Sequence, residues 1–71
     1  MATRSDVVVG HRYKMLAGCA NDALAPGTLV EVWRFDRGPG IQVMRVADIE
    51  AHPEAVTVYR VAAAALDPIL A

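Results

Sequence analysis

Seventy-one residues make one domain, and seven basic side chains against eight acidic ones leave a formal charge of −1 with the signs interspersed. The linear sequence has no basic stripe, the feature that nucleic-acid or anionic-membrane binding requires, so neither partner is expected. A single cysteine, Cys19, excludes an intramolecular disulfide framework; with a polar start and no apolar run long enough to span a bilayer, the expectation is a cytoplasmic protein.

In chain order, residues 1–6 are polar and read as a flexible N-terminal segment, ahead of a single domain over residues 7–71. Val7-Val8-Val9 is a β-branched run. After Gly10 and His11, the alternation Arg12-Tyr13-Lys14-Met15 has the period of a half-buried strand. Residues 17–27 change to a loop composition, in which Asn21 or Asp22 is placed to cap a helical turn over 23–25. Pro26-Gly27 reads as the centre of a type II turn, with glycine at the positive φ. Leu29-Val30-Glu31-Val32-Trp33-Arg34-Phe35 is the clearest strand by its β-branched and aromatic content. Asp36-Arg37-Gly38-Pro39-Gly40 then forms a hairpin loop, and Ile41-Gln42-Val43-Met44-Arg45-Val46 is the partner strand. A connecting loop is expected over residues 48–54, where Pro53 removes a backbone donor and pushes His52 toward an extended conformation.

Val56-Thr57-Val58-Tyr59 reads as the next strand, with Val56 and Val58 toward the core and Thr57 and Tyr59 on the other face. Alanine propensity favours a helix over 61–65, but Asp67-Pro68 stops it early. One 3-10 turn before a short final strand over 66–70 is the preferred reading. Five short strands and this turn describe an all-β domain, a small five-stranded SH3-like barrel. An OB-like barrel ranks second because it normally takes longer strands.

Candidate chemistry is sparse. Cys19 with His11 or His52 would make a thiol nucleophile, but nothing near Cys19 in sequence orients it, and an inert side chain is the favoured reading. His11, Cys19, Asp22 and His52 lack metal-ligand spacing, so no metal site is expected. Asp48, Glu50 and Glu54 read as a solvated charge run rather than an acid-base pair. Gly38-Pro39-Gly40 lacks the Lys-Ser/Thr pair and following helix of a phosphate-binding loop. Tyr13, Trp33 and Phe35 suit a core or interface better than base stacking. His52 reads equally as an interface histidine that senses pH and as an exposed loop residue.

Hydrophobic residues make up 55% of the chain. A domain this small buries only about 60% of its unfolded surface. Burial between subunits is therefore expected to take up the surplus, and the composition predicts a homo-oligomer.

The stretch Glu50-Ala51-His52-Pro53-x-x-Val56-x-Val58-Tyr59-x-Val61-Ala62-Ala63 resembles the C-terminal half of the type II, trimethoprim-insensitive dihydrofolate reductases. Their pattern reads Glu-Ala-His-Pro-Gly-Ser-Val-Gln-Ile-Tyr-Pro-Val-Ala-Ala-Leu. Upstream, residues 10–18 are similar to the family's Gly-Asp-Arg-Val-Arg-Lys-Lys-Ser-Gly, and Trp33 falls where the family has a strand tryptophan. The likeness spans roughly residues 10–66, with its specific core in 50–63. It implies an SH3-like barrel assembled as a homotetramer around one pore, in which NADPH and dihydrofolate lie face to face and the rate comes from proximity and orientation.

Carried over by resemblance, the catalytic positions are Thr57, Val58 and Tyr59. Cofactor contacts fall to Tyr59, the Val58 backbone and Lys14 at the pore mouth, while His52 falls at a subunit-interface position. Met15 occupies the family's lysine position in an ungapped alignment, and Lys14 stands beside it. Thr57 stands where the family has its ligand-clamping glutamine. A hydroxyl is shorter and offers one donor, so it cannot hold two rings in the same way. Two readings follow: a reductase of low efficiency, or a non-catalytic SH3-like module for oligomerisation and for binding a small molecule or partner.

Overall fold

The computed structural model describes residues 4–16 and 24–67. Cys19, the expected cap at Asn21 or Asp22, and the end of the expected last strand lie outside them. Arg4–Asp6 forms a 3-10 turn, and Val7 is buried behind it. Tyr13 ties this segment down: its hydroxyl accepts from Val8 N at 2.9 Å and donates toward Asp6 O at 3.5 Å. The β-branched run is no strand. Val8 and Val9 are each 48% exposed, at a turn that His11 N closes by donating to Val8 O at 3.1 Å. That turn needs the left-handed backbone of Gly10, φ 86°.

Four antiparallel strands follow in a meander: β1 (Arg12–Lys14), β2 (Leu29–Phe35), β3 (Gly40–Arg45) and β4 (Val58–Ala62), in that spatial order. Between β1 and β2 the Pro26-Gly27 turn forms as its sequence predicts. Gly27 has φ 88°, and Thr28 N donates to Ala25 O at 3.0 Å. The β2–β3 hairpin closes where Asp36 N donates to Gly40 O at 3.1 Å. One face of the sheet carries Tyr13, Val30, Val32, Ile41, Val43 and Val61, which pack with Val7, Met15, Leu24 and Leu66 into one core.

The expected loop over 48–54 is instead helical at its start. Val46–Ala51 forms a short helix, α1, with Val46 buried, and Arg45 braces its first turn through Asp48 (Nε to Oδ2 2.8 Å, terminal amino to Oδ1 2.9 Å). A negative side chain in the first turn is favourable to a helix. Pro53 ends it, since the residue before a proline is driven out of the α region, and His52 takes φ −140°, ψ 68°. Ala63–Ala65 forms the predicted 3-10 turn. Beyond it the fully buried Leu66 bridges to Met15, flanked by Leu16 N to Ala65 O (2.8 Å) and Asp67 N to Lys14 O (2.9 Å). The described residues thus hold four strands and one bridge, not a closed five-stranded barrel.

Candidate functional site

Strand periodicity divides β3 and β4 into two faces, and their pairing is unambiguous: Gly40 with Ala62, Ile41 with Val61, Gln42 with Arg60, Val43 with Tyr59, Met44 with Val58. Ile41, Val43 and Val61 are buried, and Tyr59 packs against the same core. Gly40, Gln42, Met44, Val58, Arg60 and Ala62 therefore occupy the outer face. This corrects the expected orientation of the strand, because Val58 is 40% exposed while Tyr59 is half-buried. The cause lies two residues downstream. Arg60 has the same phase as Val58, and burying the valine would bury a guanidinium with it. The ladder also begins at Val58, leaving Val56 and the exposed Thr57 before it.

The resemblance-derived positions are consequently dispersed. Thr57 and Val58 are exposed at the start of β4, with Met44 beside Val58. Tyr59 turns the other way, its ring 5.6 Å from the Arg45 guanidinium. Asp48 raises the pKa of that guanidinium, chiefly by its hydrogen bond, so Arg45 stays charged at every working pH. Lys14 lies exposed on β1, with β2 and β3 between it and β4. His52 is exposed at the end of α1 and donates its backbone N–H to Asp48 O at 2.8 Å. Asp48 and Glu50 sit on α1 rather than in a loop, and Asp48 is engaged with Arg45. Among the described residues no three His, Cys, Asp or Glu side chains gather in a way that could hold a metal ion, and no helix is long and apolar enough to cross a membrane.

A second constellation was not visible in the linear sequence. Between Val32 and Arg34 the β2–β3 register shifts: Val32 faces Val43, yet Arg34 faces Gln42, and Trp33 is the extra residue of a β-bulge. Regular pairing would set Arg34 opposite the fully buried Ile41. The bulge puts Phe35 there instead, against the core, and turns Arg34 outward. Trp33 is left 44% exposed, with the Arg34 guanidinium carbon 4.4 Å from its ring centroid.

On the outer face Arg34, Gln42 and Arg60 now form one row across three strands. Arg34 Nε donates to Gln42 Oε1 at 2.9 Å, Gln42 Nε2 donates to Asp36 Oδ1, and Arg60 Nε pairs with Asp36 Oδ2. Arg60's stem crosses Gly40 to reach that carboxylate. A β-carbon on Gly40 would lie 2.9 Å from both Cγ and Cδ of Arg60. The row walls an open groove of about 670 Å³, bounded by Arg37 and Pro39 of the hairpin loop and, on β4, by Ala62 and the backbone beside it. Three arginines line it against one aspartate. The phase conflict in Val30-x-Val32-Trp33-Arg34-Phe35 was the available signal: simple alternation buries Arg34 and exposes Phe35. The chain matches no family model, and no curated protein or solved structure matches it either.

Proposed function

We propose that the protein is an SH3-like barrel of the type II dihydrofolate reductase kind, self-associating as a tetramer and reducing dihydrofolate with NADPH at low efficiency in a shared pore. The observation that carries this reading is the exposure of Thr57 and Val58, side by side at the start of β4. β4 is the terminal strand of the sheet, so its outer backbone edge faces no further strand among the described residues. An open edge carrying an exposed valine suits contact with a ring-bearing ligand or with another copy of the chain. The exposed Trp33, Val8 and Val9 add apolar surface that association would cover.

In this assembly the chain supplies positioning. Backbone groups at Val58 and the Thr57 hydroxyl would hold the two ligands in contact and Lys14 would attract their anionic tails; NADPH, when bound, would supply the hydride that reduces the pterin C=N bond, with a proton from water. Holding two reactants in register is worth up to about 7–11 kcal/mol of barrier when the geometry is tight. One hydroxyl per copy holds them loosely, and the rate is low. The test is NADPH oxidation by the full chain: oxidation that requires dihydrofolate and persists with trimethoprim supports the reading, and no turnover at high protein concentration removes it.

The inward turn of Tyr59 favours a second reading. With that ring packed on the core and the clamp reduced to a threonine, the same scaffold acts as a non-catalytic binding and oligomerisation module. It predicts ligand binding without turnover in the same assay.

A further inference from the structure

We infer that the groove walled by Arg34, Arg37 and Arg60 binds an organic phosphate of nucleotide size, at a site separate from Thr57 and Val58. The inference does not rest on the reductase reading. Guanidinium forks match phosphate oxygens in pairs, and hydrogen bonds between ionised groups are roughly twice as strong as neutral ones. Arg34 and Arg60 are each anchored through Nε, to Gln42 and Asp36, so the terminal amino groups of both forks stay outside that anchoring network. Asp36, with a side chain only 14% exposed, orients both sides of the row, because it also accepts from Gln42. Arg34 and Arg60 thus each have one nitrogen engaged before a ligand arrives, which lowers the ordering cost of binding at these two side chains.

Size and lining define the ligand class. A groove of about 670 Å³ falls in the range that holds small organic molecules. Its cationic row is suited to a phosphate, while Ala62 and Pro39 offer an apolar wall to the body that carries it. Inorganic phosphate alone would leave that wall uncovered, so a phosphorylated organic molecule binds more tightly than the bare anion. The one carboxylate is already paired with Arg60, and Arg37 adds a third cation from the loop.

The test is amide-resolved NMR titration of the full chain at low ionic strength with ADP, pyrophosphate and adenosine. ADP is expected to shift the Gly38 and Gly40 amides saturably with Kd below about 1 mM, pyrophosphate more weakly, and adenosine not at all. Arg34→Gln and Arg60→Gln should each weaken ADP binding about tenfold. Arg12→Gln, which removes the same charge from β1, should leave it unchanged. Equal weakening by all three variants would reduce the effect to net charge and overturn the site. Non-saturating shifts, or shifts confined to Thr57–Tyr59, would overturn it as well. The last outcome would leave the pore reading standing, and saturable shifts at Gly38 and Gly40 without dihydrofolate turnover would leave the groove standing alone.

Discussion

Arg60 lies across Gly40, reaching Asp36 over a position where no β-carbon fits: its Cγ and Cδ are 2.9 Å from the point that an alanine methyl would occupy. The backbone of Gly40 does not itself require glycine, since its φ is not in the positive region. Gly40→Ala should therefore keep the sheet and displace Arg60 from Asp36. The ion pair is largely solvent-exposed on the arginine side, so the stability loss should stay within about 1 kcal/mol. The NMR signal of Arg60 Nε–H is the readout; an unmoved signal would show that the close approach does not position Arg60.

Trp33 is the surplus residue of the bulge, and its removal should regularise the ladder rather than break it. With Trp33 deleted, Arg34 still follows Val32 onto Gln42 and Phe35 still faces Ile41. Deleting Glu31 instead would remove the partner of both Arg12 and Met44 and put Leu29 and Val30 out of phase with the rest of β2, because a one-residue slip exchanges the two faces of a strand. Thermal unfolding should show a shift of only a few degrees for the first deletion and loss of the cooperative transition for the second. Comparable damage from both would place the register elsewhere.

Thr57→Gln restores the longer amide at an exposed position before β4. The surface location predicts a stability change within about 0.5 kcal/mol. Under the reductase reading dihydrofolate-dependent NADPH oxidation rises at least tenfold. A folded variant with no gain would favour the non-catalytic module.

His52 is exposed in the single chain at the junction of α1 and Pro53. At the subunit contact that the resemblance implies, copies of this residue meet near a symmetry axis, and a fixed charge there would face its own copy. Light scattering should give a tetramer for the unaltered chain and smaller species for His52→Lys, with His52→Asn keeping the larger mass. An unchanged mass for His52→Lys would take His52 out of the interface.

Leu66 is fully buried at the one isolated bridge among the described residues, which joins the chain after β4 to the end of β1. Leu66→Ala should cost about 2–5 kcal/mol, a large share of the stability of so small a domain. Circular dichroism should show a melting temperature lower by at least about 8 °C, or an unfolded chain. A smaller effect would mean that the bridge is marginal to the core.

Local chemistry was legible in the sequence where it acted alone. The Pro26-Gly27 turn, the strand from Leu29 to Phe35 and the 3-10 turn of Ala63–Ala65 follow from φ preferences and side-chain branching. Helix α1 escaped because fewer than two turns carry no helical period, and because its brace, Arg45 to Asp48, belongs partly to the preceding strand. The two valines alone give the wrong facing for β4, because the charge of Arg60 sets the phase of both. The arginine groove escaped for a different reason. Arg34 and Arg60 are far apart in sequence, and they become neighbours of Gln42 only through two strand pairings and a bulge.

The bridge between Met15 and Leu66 also orders events in time. The hairpin of β2 and β3 has near neighbours in sequence and can close early, whereas β1 gains its contact beyond β2 only when residues 65–67 arrive. Contacts between distant parts of a chain form slowly because the loop entropy must be overcome first. On the ribosome, β1 is on hand to cover the edge of β2, whereas the edge of β3 stays open until β4 has emerged. Leu66 follows β4 and completes the core after it, so substitutions at Leu66 should raise aggregation during synthesis.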